Sequence, residues 1–220
     1  MIKEEGDLTM YKVSKRIFDI LLSVVMLILA APIMFITALV IKIDSSGSVL
    51  FKQQRVGKNG KDFTILKFRT MVVNAEKMGT GLDSFANDSR VTKVGKFLRN
   101  TSLDELPQLF NILRGDMSFV GPRPPVTYHP WKYEDYPPIP KRRFEVKPGV
   151  TGYAQINGRN ELSWDEKFKF DLFYIENRSF WFDLKIFVLT IFKVLKMENK
   201  IFKFCKLNFK CLFISYSRGI

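Results

Sequence analysis

The chain has 220 residues, enough for one buried core plus a membrane segment but not for two large independent domains. Lys and Arg number 35 against 22 Asp and Glu, and the formal charge of +13 calls for an anionic partner such as nucleic acid, phosphate ligands or lipid head groups. Cys205 and Cys211 are the only cysteines and His129 the only histidine, which excludes a disulfide framework and a zinc site and favours a reducing compartment.

Ile20 to Ile41 is a run of 22 residues without a charge. As a helix rising about 1.5 Å per residue it reaches roughly across a bilayer core. The run is too long for a signal peptide, and Pro32 follows Ala30 and Ala31 where cleavage would fall. Pro32 also removes a backbone donor near the middle of the run and predicts a bend there. Lys12, Lys15 and Arg16 stand before the run and Lys42, Lys52 and Arg55 after it, so positive charge sets no crossing direction. A kinked spanning helix and a re-entrant helix that enters and leaves on one face both fit these residues.

Beyond the run, Val49–Phe51 and Phe63–Phe68 are β-like stretches around a turn cluster of Gly57, Asn59 and Gly60, which predicts a hairpin. Met71 to Asp88 is polar, with Gly79 and Gly81 near its middle, and reads as a helix start followed by a mobile loop. Val91, Val94 and Leu98 share one helical face and Lys93, Lys96 and Arg99 another; an ordinary solvated face accounts for the basic row. Leu106, Leu109, Phe110 and Leu113 predict an amphipathic helix ending at Gly115. Gly121 to Pro140 holds seven prolines and is expected to be irregular. Trp164–Ile175 reads as a helix. In the apolar stretch Phe180–Lys196, Trp181 and the row Lys185, Lys193 and Lys196 suit a helix lying in a membrane interface, while a buried core helix explains the apolar majority equally well.

One histidine in a Pro-rich loop builds no Ser/His/Asp constellation, and no Walker-type glycine loop is present, so carboxylates must carry any catalysis. Asp104 and Glu105 stand together at a helix start, where free backbone donors and the dipole favour an ionised acid and an anionic ligand. An ionised Asp can act as a nucleophile, and an adjacent Glu can share a divalent cation. The plain alternative is a capping box of Ser102 and Glu105, which Pro107 complicates by belonging within the first turn. Two loops follow, NILRGDMSFVGPRPP with Arg114 and Arg123, and VKPGVTGYAQINGRN with Gln155 and Arg159. Such loops hold side chains and backbone donors for a phosphate, while turn chemistry alone would also account for either.

In this order the segments KRIFDILLS, APIM, FKQQRVGKNGKDFTILKFRTM, RNTSLDELPQLFNILRGDMSFVGPRPP and VKPGVTGYAQINGRN resemble the bacterial sugar transferase family, the small monotopic phosphoglycosyl transferases, from about Lys15 to Lys196. The resemblance implies that Asp104 attacks the sugar-linked phosphate of a UDP-sugar, giving a phosphosugar enzyme and UMP. A polyprenyl phosphate, such as undecaprenyl phosphate, would then take the phosphosugar and so begin capsule, O-antigen or glycoprotein glycan synthesis. It further implies Mg²⁺ at Asp104 and Glu105, with Arg99, Arg123, Arg159 and Lys67 holding phosphates or nucleotide.

The implied fold is α/β and α-rich: a re-entrant helix breaking at Ala31 and Pro32, interfacial amphipathic helices and a small β-sheet. Residues 1–16 would be a basic flank, 17–43 the re-entrant membrane helix, 44–196 the cytoplasmic catalytic domain and 197–220 a basic, aromatic tail. Ala31 stands where the family usually has Ser, so the bend rests on Pro32 and packing. The expected partners are a UDP-sugar, polyprenyl phosphate and membrane lipids at the cytoplasmic face of the inner membrane, with no nucleic acid and with a homodimer left open. A basic nucleic-acid-binding protein and a noncatalytic membrane scaffold are the competing readings.

Overall fold

The computed structural model describes residues 5–75, 78, 88–158 and 161–196. The tail 197–220, Arg159 and most of the expected loop between Met71 and Asp88 lie outside the described residues.

Helix α1 (Glu5–Asp44) carries the uncharged run, with Pro32 inside it. Its buried and half-buried positions include Asp19, Leu22, Ser23, Met26, Ala30, Met34, Thr37, Ala38 and Ile41, a stripe that recurs every three or four residues on both sides of Pro32. The opposite face exposes Leu21, Ile28, Leu29, Phe35, Ile36 and Ile43. A bare apolar surface of this extent needs a cover of lipid or protein.

Strands β1 (Leu50–Val56) and β2 (Asp62–Phe68) pair antiparallel from Leu50↔Phe68 to Val56↔Asp62, around the turn Lys58–Gly60. Asn59 and Gly60 take positive φ there (55° and 78°), as a tight turn demands. A helix start at Met71 does not form, because Met71 pairs with Val91 as an isolated bridge and a turn follows. Helix α2 (Lys93–Thr101) begins where the Thr92 hydroxyl accepts the Gly95 amide, and ends where Ser102 turns left-handed at φ 57°. Gly95 has no room for a side chain, since a Cβ would lie 2.0 Å from the Thr70 carbonyl oxygen.

A single 3₁₀ turn, Leu103–Glu105, leads into α3 (Gln108–Arg114), which Gly115 closes at φ 91°. Buried Asn111 fastens α3 to β2: its side-chain oxygen accepts the Leu66 amide, and its Nδ2 donates to the Thr64 carbonyl. Strands β3 (Ser118–Val120) and β4 (Gly149–Thr151) form a second, parallel pair. The expected single small sheet is thus two two-stranded sheets. The Pro-rich stretch is irregular apart from α4 (Pro138–Lys141) and the 3₁₀ turn Arg142–Glu145 that follows it. Helices α5 (Tyr153–Asn157), α6 (Trp164–Asn177) and α7 (Phe180–Lys196) complete the chain.

The main core joins Phe63 and Ile65 of β2, Leu109 and Ile112 of α3, Phe119 and Val120 of β3, Tyr174 of α6 and Ile186 of α7, with Leu22 and Met26 of α1 packed on it. A second cluster sets Met34, Ala38 and Ile41 of α1 against Phe68, Leu98, Leu103 and Leu106. One body therefore rests on both halves of α1. Polar contacts repeat the pattern. Arg16 donates to the carbonyls of Ile112 and Leu113 at 2.6 and 2.8 Å, meeting the negative end of α3. Asp19 accepts the Phe119 amide at 3.2 Å, and Arg69 donates to the Ser45 and Ser46 carbonyls beyond the other end of α1.

Helix α7 is a core helix on one side, as one of the two readings expected. Ile186 is fully buried, and Asp183 accepts hydrogen bonds from Tyr11 (2.8 Å), Lys15 (2.6 Å) and Tyr174 (2.8 Å). Trp181, Val188, Ile191 and Phe192 are exposed on its other side.

Candidate active site

Asp104 and Glu105 lie in the 3₁₀ turn before α3, not inside its first turn. Ser102 makes no side-chain cap, so the capping-box alternative fails in this structure. The turn is instead held by its apolar neighbours: Leu103 and Leu106 pack into the cluster around Ile41 of α1. The two acids face strand β2 and the Pro-rich loop.

Glu105 Oε1 accepts Lys67 Nζ at 2.7 Å and Arg123 Nη2 at 3.2 Å. Burial pushes the Glu105 carboxyl up, but the two cations outweigh it and hold the group down at about 2. Lys67, largely buried on β2, is pushed the other way: burial lowers its ammonium below the ordinary lysine value, with Glu105 opposing. Arg99 donates from Nε to the Thr70 hydroxyl at 2.9 Å, and its charge acts on Asp104.

Asp104 differs from its neighbour. Its half-buried carboxylate accepts no hydrogen bond from the described residues. Burial raises its carboxyl above the usual Asp value, assisted by the Glu105 charge and opposed by Lys67, Arg99 and Arg123. A carboxylate kept unbonded in a cationic surrounding is suited to meeting an anionic, electrophilic phosphorus.

Four of the residues expected from the sequence thus converge with Asp104: Glu105, Lys67, Arg99 and Arg123. Arg159 lies outside the described residues. Arg114 ends α3, exposed and away from the acids at the helix start. Of the basic row on α2, Lys93 and Lys96 are exposed while Arg99 alone turns inward to Thr70. Sequence reasoning missed Arg69, Arg143 and Asp171, although one signal was available: Asp171 interrupts an otherwise apolar stripe of α6.

Two ion pairs make the loss of Glu105 costlier than the loss of a helix cap. Glu105→Gln strands partly buried Lys67 and is expected to cost about 1–3 kcal/mol at neutral pH. The folded carboxyl titrates near 2, below its ordinary 4.5, so its stabilisation is present above about 4.5 and is lost as pH falls toward 2. Melting temperature against pH should therefore flatten on its acid limb in the Gln variant. An unchanged limb would contradict the pairing.

A model of the family described as bacterial sugar transferase matches residues 10–197. The chain belongs to the bacterial sugar transferase family. A sugar transferase named uncharacterized, EpsL of Bacillus subtilis (strain 168), is 45% identical over 189 residues, covering 84% of this chain and 89% of its own. The UDP-glucose:undecaprenyl-phosphate glucose-1-phosphate transferase of Klebsiella pneumoniae is 49% identical over 188 residues, 82% of this chain but 40% of that protein. The UDP-N-acetylgalactosamine-undecaprenyl-phosphate N-acetylgalactosaminephosphotransferase of Aeromonas hydrophila is 42% identical over 191 residues, 84% of this chain and 44% of that protein. This sugar transferase thus spans nearly all of one relative and about two fifths of the others.

Proposed function

We propose that this chain transfers a sugar 1-phosphate from a UDP-sugar to a polyprenyl phosphate through a covalent Asp104 intermediate. The observation that carries the reading is the unbonded Asp104 carboxylate among Lys67, Arg99 and Arg123, on a turn whose leucines lean against α1. An Asp104 oxygen attacks the phosphorus that bears the sugar, the bond from that phosphorus to the bridging diphosphate oxygen breaks, and UMP departs with the electron pair. A polyprenyl phosphate oxygen then attacks the same phosphorus and the Asp104 carboxylate leaves. Lys67, Arg99 and Arg123 offset charge on the phosphates and hold them in line.

The residues fit a Mg²⁺ ion. Glu105 accepts both of its hydrogen bonds on Oε1, which leaves Oε2 and the Asp104 carboxylate open toward the described residues. Mg²⁺ characteristically takes one or two carboxylates and completes its shell with phosphate oxygens and water. Among the described residues no larger cluster of acids, His or Cys competes for it. When bound, the ion supplies charge neutralisation for the diphosphate. The names of the Klebsiella and Aeromonas relatives agree on undecaprenyl phosphate and differ in the sugar, so the lipid class carries over to this proposal and the sugar does not.

The proposed location is the cytoplasmic face of the cell membrane, with α1 re-entrant at Pro32. The support is that one body contacts α1 from Tyr11 and Lys15, before the run, to Ile41 and the Arg69-bound turn after it. A straight spanning helix would put those contacts on opposite faces of the bilayer. With Cys205 and Cys211 replaced, a cysteine at exposed Ser14 should stay protected from an impermeant reagent in intact cells. Labelling there would favour the spanning helix.

A screen of UDP-sugars for UMP release, in membranes with polyprenyl phosphate and Mg²⁺, tests the activity. At least one sugar should give lipid-dependent turnover, and release from none would overturn the reading.

A further inference from the structure

Arg143 lies in the 3₁₀ turn after α4, yet it is only 4% exposed. Its guanidinium sits 2.9 Å from the carboxylate of Asp171 on α6, itself 2% exposed. The faces of Phe144, Trp164 and Phe168 lie 5.8, 5.7 and 5.4 Å from its central carbon, within cation–π range. A buried ion pair of this kind is a weak source of stability, since apolar residues of similar volume commonly serve as well. Its outward contact is specific: Nη2 donates to the main-chain carbonyl of Arg123 at 2.9 Å.

That carbonyl is the first of three in succession to be gripped. Arg55 donates to the carbonyl of Pro124 at 3.1 Å and the Val56 amide to that of Pro125 at 3.1 Å. Pro122, Pro124 and Pro125 add fixed φ angles and have no amide hydrogen to pair elsewhere. The backbone at Arg123 is thereby held at one distance from β1 and from the α6 cluster. The Arg123 side chain, 49% exposed, leaves this fixed point to reach Glu105 at 3.2 Å.

We propose that Arg143, set by Asp171 and the surrounding rings, is a positioning residue that fixes Arg123 against Glu105 and so aims a phosphate-binding guanidinium at the Asp104 site. The inference rests on the transferase reading for its catalytic consequence, though not for its geometry. Arg143 touches neither acid and acts only through the Arg123 backbone.

The test replaces the pair together, Arg143→Met with Asp171→Leu, so that no buried charge is left alone and the fold is kept. Two readouts are taken on the full chain in membranes or detergent. The first is the rate of phenylglyoxal modification at Arg123, mapped by mass spectrometry, with exposed Arg114 as reference. It should rise several-fold in the paired variant while Arg114 is unchanged. The second is kcat/KM for UMP release in a cycle with Arg123→Met. The paired variant should lose roughly 10–100-fold, as removal of outer-shell partners does at other sites, and no more than about twofold when Arg123 is already Met.

Unaltered Arg123 reactivity in a paired variant that melts normally would overturn the proposal. So would losses that multiply independently in the cycle. Should the unmodified chain release no UMP, the transferase reading falls, and the Arg123 reactivity decides the positioning role alone.

Discussion

Asp104→Asn is expected to bring UMP release from every accepted UDP-sugar to background while leaving the protein folded. The amide keeps the shape of the side chain but cannot supply the carboxylate oxygen that bonds to phosphorus. Loss of charge should cost little stability, because Asp104 accepts no hydrogen bond from the described residues and is raised by burial in the folded state. A melting temperature within a few degrees of the unmodified chain is therefore the second half of the expectation. With the unmodified chain, brief mixing with a UDP-sugar in the absence of lipid should leave one phosphosugar on the peptide containing Asp104, detectable as a mass shift. Full UMP release by the Asn variant would eliminate the covalent route.

Gly95→Ala is expected to damage both stability and activity. A Cβ there would sit 2.0 Å from the Thr70 oxygen, 2.6 Å from its carbonyl carbon and 2.8 Å from its Cα, all of them backbone atoms. None can rotate away, so α2 must back off from the segment after β2. Overpacking of this kind costs about 3 kcal/mol. The same movement separates Arg99 from the Thr70 hydroxyl, now 2.9 Å away, and withdraws its charge from Asp104. Both melting temperature and kcat/KM should fall, the latter beyond what the unfolded fraction explains. A variant that melts normally would show that α2 is free to shift, against the packing described here.

How much of this was legible in the sequence follows from the range of each interaction. The hairpin was readable because Gly57, Asn59 and Gly60 mark a turn by local chemistry alone, and the amphipathic α3 because its leucines repeat within one helix. Asp104 and Glu105 are legible from their helix start and Arg123 from its loop, Lys67 and Arg99 through resemblance, and their convergence in the fold is long-range: β2, α2 and the Pro-rich loop meet at a single turn. The stripe along α1 escaped notice because its buried side is as apolar as its exposed side, so hydropathy carries no phase. Asp19, Ser23 and Thr37 are its polar marks, and Asp19 makes sense only once β3 is seen beside it. The capping box offered as an alternative for Glu105 fails for a related reason. A local pattern fitted Ser102, while the partners that bind it lie 38 and 18 residues away. Two short sheets looked like one because pairing of Ser118 with Gly149 leaves no signal at short range.

The stripe on α1 makes this helix a wall of the core as well as the proposed contact with lipid. Cutting the chain after Asp44 would strip cover from the clusters around Ile186 and Phe68 and detach the Ser45–Ser46 turn that Arg69 holds from its helix. No water-soluble catalytic fragment is then available by truncation, and an unrelated anchor could not be grafted in its place. On the proposed membrane location, such a polypeptide has to finish folding where a bilayer already is. The proposed activity would then be tied to a surface by the way the chain is built, and a nucleotide sugar would be consumed only beside the proposed lipid acceptor.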